Sequence, residues 1–133
     1  MNEGGARAAS NGKAVEDVIN GVLHQITTDV QRQYSIGLGI YGTEIFVDFY
    51  CLSLGQIIES KWQGSNGTAD EKLPYLAENI IQNYPLPTTV VLSGDGFRSG
   101  AIDWMRSRLA KTSDHQALTM NEFLTWAFKQ KHK

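Results

Sequence analysis

The apolar positions Val15, Val18, Ile19, Val22, Leu23, Ile26 and Val30 recur at steps of three and four, which predicts an amphipathic helix beginning near Lys13 with Asn11 as its cap. Residues 1–10 are rich in Ala, Gly, Asn and Ser and lack that period, so they read as a flexible leader ahead of a single domain over residues 11–133. Two β-like runs follow, Ser35 to Tyr41 and Glu44 to Leu52, and Gly42-Thr43 between them suits a tight hairpin turn. A third run, Gln56 to Trp62, comes after the short link Ser53-Leu54-Gly55, and Gln63 to Thr68 reads as a loop.

Leu73, Leu76, Ala77, Ile80, Ile81 and Tyr84 mark a second helix. Pro74 has to lie in its first turn, where a missing N–H costs nothing, so the helix starts near Asp70 or later. Pro85 and Pro87 end it, Thr88 to Leu92 reads as a buried strand, and Gly94-Asp95-Gly96 is the turn after that strand. Two helices close the chain, one near Ala101 to Lys111 and one near Met120 to Lys131, the latter opened by a Thr119/Glu122 capping box. Adjacent strands pair antiparallel in this order, and the helix before the fourth strand forms a right-handed crossover that makes the third and fourth parallel. The fold class is therefore α/β, a mixed central sheet of about four strands flanked by helices.

With 41% apolar residues in 133, the chain can bury one core. No stretch approaches the roughly 18 apolar residues of a membrane span, and no basic-then-apolar leader is present, so a soluble protein without membrane association is expected. The single cysteine, Cys51, lies in an apolar run, which excludes an internal disulfide and suits a cytoplasmic location. Histidines 24, 115 and 132 lack ligand spacing, which argues against a zinc site. The net charge of −2 conceals an asymmetry: acidic residues outnumber basic ones up to Phe97, and the balance reverses from Arg98 onward. Lys72, Arg98, Arg108 and Lys111 are the candidates for contact with nucleic-acid phosphates, although an ordinary solvated surface explains the same spacing.

Two charged positions interrupt otherwise apolar strands. Asp48 divides Ile45-Phe46-Val47 from Phe49-Tyr50-Cys51, and alternation along the third run puts Glu59, Lys61 and Gln63 on one face. Burying these charges costs desolvation, which is offset when they serve an ion or each other. If the two strands are neighbours, both carboxylates and the ammonium converge at one end of the sheet. Two carboxylates are hard oxygen ligands of the kind Mg²⁺ takes, and a lysine beside them can orient the attacking water and offset charge on a phosphate. Glu16 falls on the border of the first helix's apolar stripe and can lean toward the sheet.

Gly12-Lys13-Ala14-Val15-Glu16, Phe46-Val47-Asp48, and Glu59-Ser60-Lys61 followed by Gln63 resemble the motifs of the PD-(D/E)XK nuclease superfamily, and the element order over roughly residues 12–93 is similar to its α-β-β-β-α-β core. The resemblance implies a restriction-endonuclease-like fold and a metal-dependent endonuclease of phage, mobile-element, restriction or repair type acting on nucleic acid, with DNA the first expectation. It further implies that Asp48 and Glu59 hold Mg²⁺, for which Mn²⁺ can substitute, with Glu16 as an auxiliary carboxylate ligand, Lys61 as the catalytic lysine and Gln63 as a further catalytic position. The proline that precedes the aspartate in the superfamily's motif is Val47 here. The alternative is a catalytically inactive nucleic-acid-binding or protein-interaction subunit of the same fold. Because one metal site attacks one strand at a time, a homodimer or higher homo-oligomer is expected, and the aromatic C-terminal helix with Phe123, Trp126 and Phe128 is the first place to seek its interface.

Overall fold

The computed structural model describes residues 3–65 and 67–131; Met1, Asn2, Asn66, His132 and Lys133 lie outside the described residues. A long helix α1 (Glu3–His24) leads into strands β1 (Val30–Leu38), β2 (Glu44–Cys51) and β3 (Gln56–Trp62). A short 3-10 turn (Ala69–Lys72) opens α2 (Leu73–Asn83), followed by β4 (Thr88–Ser93), α3 (Ser99–Ala110), β5 (Gln116–Thr119) and α4 (Met120–Lys131). The five strands form one sheet in the order β1-β2-β3-β4-β5, antiparallel as far as β3 and parallel from β3 to β5. The expected mixed sheet is present with one strand more than the periodicity predicts.

Helix α1 is longer at its start and shorter at its end than its apolar spacing suggests. Residues 3–10, read as a leader, are helical, and Asn11 is interior rather than a cap. Ala6, Ala8 and Ala9 are strong helix formers, and extending an existing helix carries no nucleation cost. At the other end Val30, which continues the three-and-four spacing by coincidence, belongs to β1. Thr27 Oγ1 donates to Asp29 Oδ1 at 2.9 Å, and Asp29 Oδ2 accepts from the Ser53 amide at 2.8 Å and the Ser53 hydroxyl at 2.9 Å. These local bonds end the helix and tie the start of β1 to the β2–β3 turn. The hairpin turn spans Gly39 to Thr43, with the Gly39 amide bonded to the Thr43 carbonyl at 2.8 Å and Gly42 at a φ of 74°.

Two apolar layers enclose the sheet. On one face Ile19 and Leu23 of α1 and Phe123 of α4 meet Phe49, Cys51, Ile58 and Val91. On the other, Leu73, Leu76, Ala77 and Ile80 of α2 and Met105 and Leu109 of α3 meet Val90 and Leu92. β4 is buried along almost its whole length, as expected of a parallel strand covered on both faces. Among the described residues no helix is long and apolar enough to cross a membrane.

Candidate active site

The site lies where β2 and β3 part. Regular pairing between them runs from Cys51–Gln56 to Phe49–Ile58 and stops there. One residue further, the carboxylates of Asp48 and Glu59 take over from the backbone ladder. The Asp48 amide donates to Glu59 Oε1 at 2.8 Å, and the Ser60 amide donates to Asp48 Oδ2 at 2.8 Å. Each carboxylate is thus anchored by the opposite strand's backbone. The remaining oxygens also have one protein donor each: Gln33 Nε2 to Asp48 Oδ1 at 3.2 Å and the Tyr84 hydroxyl to Glu59 Oε2 at 2.5 Å.

Glu59 is only 4% exposed. Burial pushes its carboxyl up to about 7 and the neighbouring Asp48 charge adds to this, while the Tyr84 hydroxyl, the Asp48 amide and the Lys61 ammonium pull the other way. Burial and the charge of Glu59 hold the Tyr84 hydroxyl firmly protonated, so Tyr84 acts as a donor to the carboxylate. In the parallel register Glu59 and Lys61 lie opposite Val90 and Leu92 of the α2/α3 layer, which explains how Tyr84, just past the end of α2, reaches Glu59. Tyr84 reads from the sequence as one more apolar helix position, and nothing in its spacing distinguishes it from core.

An ionised carboxylate offers about four acceptor sites, so one donor on each oxygen leaves lone pairs for a cation. Two hard oxygen donors, one of them held in a low-dielectric strand, suit Mg²⁺, which keeps several waters and binds one or two carboxylates together with phosphate oxygens. Among the described residues no three His, Cys, Asp or Glu side chains close on one point. Glu16, expected as an auxiliary ligand, lies within the same electrostatic field: partial burial and the Asp48 charge raise its carboxyl, and Arg32 and Lys61 oppose this. Its carboxylate is engaged by Arg32 at 3.7 Å and does not complete a set of three.

Lys61 opens on a cleft of about 420 Å³ whose lining includes Ser60, Trp62, Gly64, Thr68 and Lys72. The two lysines therefore share a cleft, which reaches the carboxylate pair through Ser60, the residue whose amide holds Asp48. Gln63 lines the same cleft, but its carboxamide is turned into the protein. It is almost fully buried, its Nε2 donates to the Gly96 carbonyl at 2.8 Å, and its Oε1 accepts from the Asp70 amide at 2.6 Å. Its carboxamide is committed to bracing the end of β3 against two loops. Gly94 and Gly96, read as a simple turn, press on the same point: a Cβ on Gly96 would lie 1.9 Å from the Gly64 carbonyl oxygen. Only glycine permits that approach.

The basic C-terminal residues do not gather at the cleft. Arg98 pairs with Asp70 at 3.4 Å, Arg108 with Glu78 at 2.7 Å, and Arg106 with Glu122 at 2.5 Å. Arg108 and Lys111 are absent from the cleft lining, which includes Lys72. Of the aromatic residues on α4, Phe123 is fully buried and stacks on half-buried Trp126, with ring centroids 5.8 Å apart, which leaves Leu124 and Phe128 as the exposed apolar side chains of that helix.

Two carboxylates anchored between antiparallel strands, Glu59 buried and Asp48 half-buried, with a lysine two residues further along, in a mixed sheet covered by helices, define a nuclease-like α/β class. The chain matches a family model described as a PD-(D/E)XK nuclease superfamily domain over residues 7–131, and it belongs to that superfamily. Nucleases of this superfamily generally use divalent metal ions. No curated protein and no solved structure matches the chain.

Proposed function

We propose that the protein is a metal-dependent endonuclease that hydrolyses phosphodiester bonds of nucleic acid, DNA in the first instance. The observation that carries this reading is the reciprocal anchoring of Asp48 and Glu59 across the parting of β2 and β3, next to a lysine that opens on a cleft. Asp48 and Glu59 are the residues that would hold Mg²⁺, with Mn²⁺ as a substitute. Bound there, the ion would polarise the scissile phosphate and promote ionisation of water. Lys61 supplies a positive charge that orients the attacking water and offsets the charge developing on the phosphate. Tyr84 and the Asp48 amide hold Glu59 in place, and Lys72, which lines the same cleft as Lys61, would meet an adjacent phosphate of the strand.

Keeping a carboxylate as buried as Glu59 costs stability, and a protein that only binds nucleic acid gains nothing from that cost. This favours catalysis over an inactive subunit of the same fold. The working form we propose is a homodimer, since two copies attack two strands, with the outer face of α4 around Leu124 as its interface. The buried thiol of Cys51 suits the cytoplasm. Incubation with supercoiled plasmid tests the activity: nicked or linear product is expected with Mg²⁺ or Mn²⁺, none with chelator, and none from folded Asp48→Ala or Glu59→Ala protein.

A further inference from the structure

Within β1 the ladder to β2 is interrupted twice, by a bulge at Ile36 between Ser35 and Gly37 and, with the register unchanged, at Gln33. Arg32 lies opposite Phe49 and Tyr34 opposite Val47, which leaves Gln33 across from Asp48 without a regular partner. Gln33 has a φ of 48°, the one left-handed non-glycine among the described residues. For an L-residue with a Cβ this conformation costs on the order of 1–2 kcal/mol. Glycine, asparagine and aspartate are the residues that visit it readily, and glutamine has no such preference. Strain of this kind persists only where the surroundings enforce it, and it collects at functional positions.

The neighbouring contacts indicate what the distortion achieves. The Gln33 carboxamide donates to Asp48 Oδ1, the oxygen that the Ser60 amide leaves free. Asp48 lies beyond the last regular β2–β3 pair, so its backbone is held less firmly than that of Phe49. Its carboxylate orientation therefore depends on two donors, one from each flanking strand. Arg32, next to Gln33, meanwhile engages Glu16 and covers the Phe49 ring with its guanidinium 5.0 Å from the centroid. The distorted step thus delivers two successive side chains to two carboxylates, Arg32 to Glu16 and Gln33 to Asp48.

We propose that Gln33 is a positioning residue for Asp48: its left-handed backbone is strain retained so that its carboxamide fixes Asp48 in the orientation that receives the metal. The inference rests on the reading of Asp48 as a metal ligand. A purely structural irregularity would also distort an exposed edge strand such as β1, as the bulge at Ile36 does, and the two roles differ in what substitution does.

Gln33→Gly removes both strain and carboxamide, while Gln33→Ala removes the carboxamide and keeps the strain. In metal-free protein the Gln33→Gly variant should melt above the Gln33→Ala variant by about 2–6 °C, the reverse of the usual order in a strand. Both variants should bind Mn²⁺, measured by calorimetric titration, about 10-fold more weakly than the parent, the low end for a residue that holds a metal ligand, and both should cleave plasmid more slowly at sub-saturating Mn²⁺. Saturating Mn²⁺ should restore most of that rate. Parent-like Mn²⁺ affinity in both variants, alongside loss of binding in Asp48→Ala, would overturn the positioning role and leave the metal reading intact. Gln33→Gly melting below Gln33→Ala would remove the strain on which the inference stands. Parent-like binding by Asp48→Ala would bring down both readings together.

Discussion

Glu59 is the residue at which the proposed chemistry has a stability cost that can be measured. Its carboxyl is held at about 7 in the folded chain against 4.5 when free, so between those values the folded protein binds a proton that the unfolded chain has released. The associated stability is present below about 4.5 and is lost as pH rises through about 7. Denaturant midpoints of metal-free protein should accordingly fall from pH 5 to pH 8. Glu59→Gln, which keeps an acceptor for the Asp48 amide without the charge, should flatten that decline and be the more stable protein at pH 8 while cleaving nothing. An unchanged pH slope in Glu59→Gln would assign the titration to another group. The same protonation predicts that divalent ions bind more tightly as pH rises from 6 to 8, since the ion must displace the proton.

At the scale of elements, much was legible because local pattern and tertiary role agree. Gln56–Trp62 has the bounds its alternation predicts, Pro74 sits at the first turn of α2, and the Thr119/Glu122 box closes with the Thr119 amide on Glu122 Oε1 at 2.8 Å and the Glu122 amide on Thr119 Oγ1 at 3.3 Å. Thr119→Ala should cost about 1 kcal/mol in a urea melt, and a loss below a few tenths would mean that the cap is redundant. What stayed hidden depends on partners distant in sequence. β5 buries little beyond Ala117 and becomes a strand only because β4 offers it an edge. Asp48, Glu59 and Lys61 were readable because a charge in an apolar strand is conspicuous. Tyr84 and Gln33 were not, since an aromatic residue in a helix stripe and a polar residue before an expected strand are unremarkable until Glu59 and Asp48 are seen beside them. Gly96 belongs with these: Gly96→Ala should destabilise by about 1–3 kcal/mol and depress cleavage as well, because the backbone it would strike is that of Gln63-Gly64 at the end of the Lys61 strand. Wild-type stability in Gly96→Ala would show that the loop yields freely.

For the molecule as a whole, charge and size restrict how it can meet a nucleic acid. Its net charge is −2, and Arg98, Arg106 and Arg108 are engaged by carboxylates, so at the cleft the favourable charge is that of Lys61 and Lys72. Binding of the isolated chain to DNA should be weak and fall with rising salt, with a shallow slope because few phosphates are neutralised. Lys72→Ala should lower that slope without changing metal affinity. Double-strand breaks should require a dimer, with light scattering of Leu124→Glu protein giving a monomer that only nicks. Plasmid cleavage by folded Lys61→Ala protein at saturating Mg²⁺ tests whether Asp48, Glu59 and Lys61 form the one hydrolytic site proposed for them. The expected result is loss of cleavage with Mg²⁺ binding and melting temperature close to those of the parent. Robust cleavage by the purified variant, abolished by chelator and free of contaminating nuclease, would contradict it.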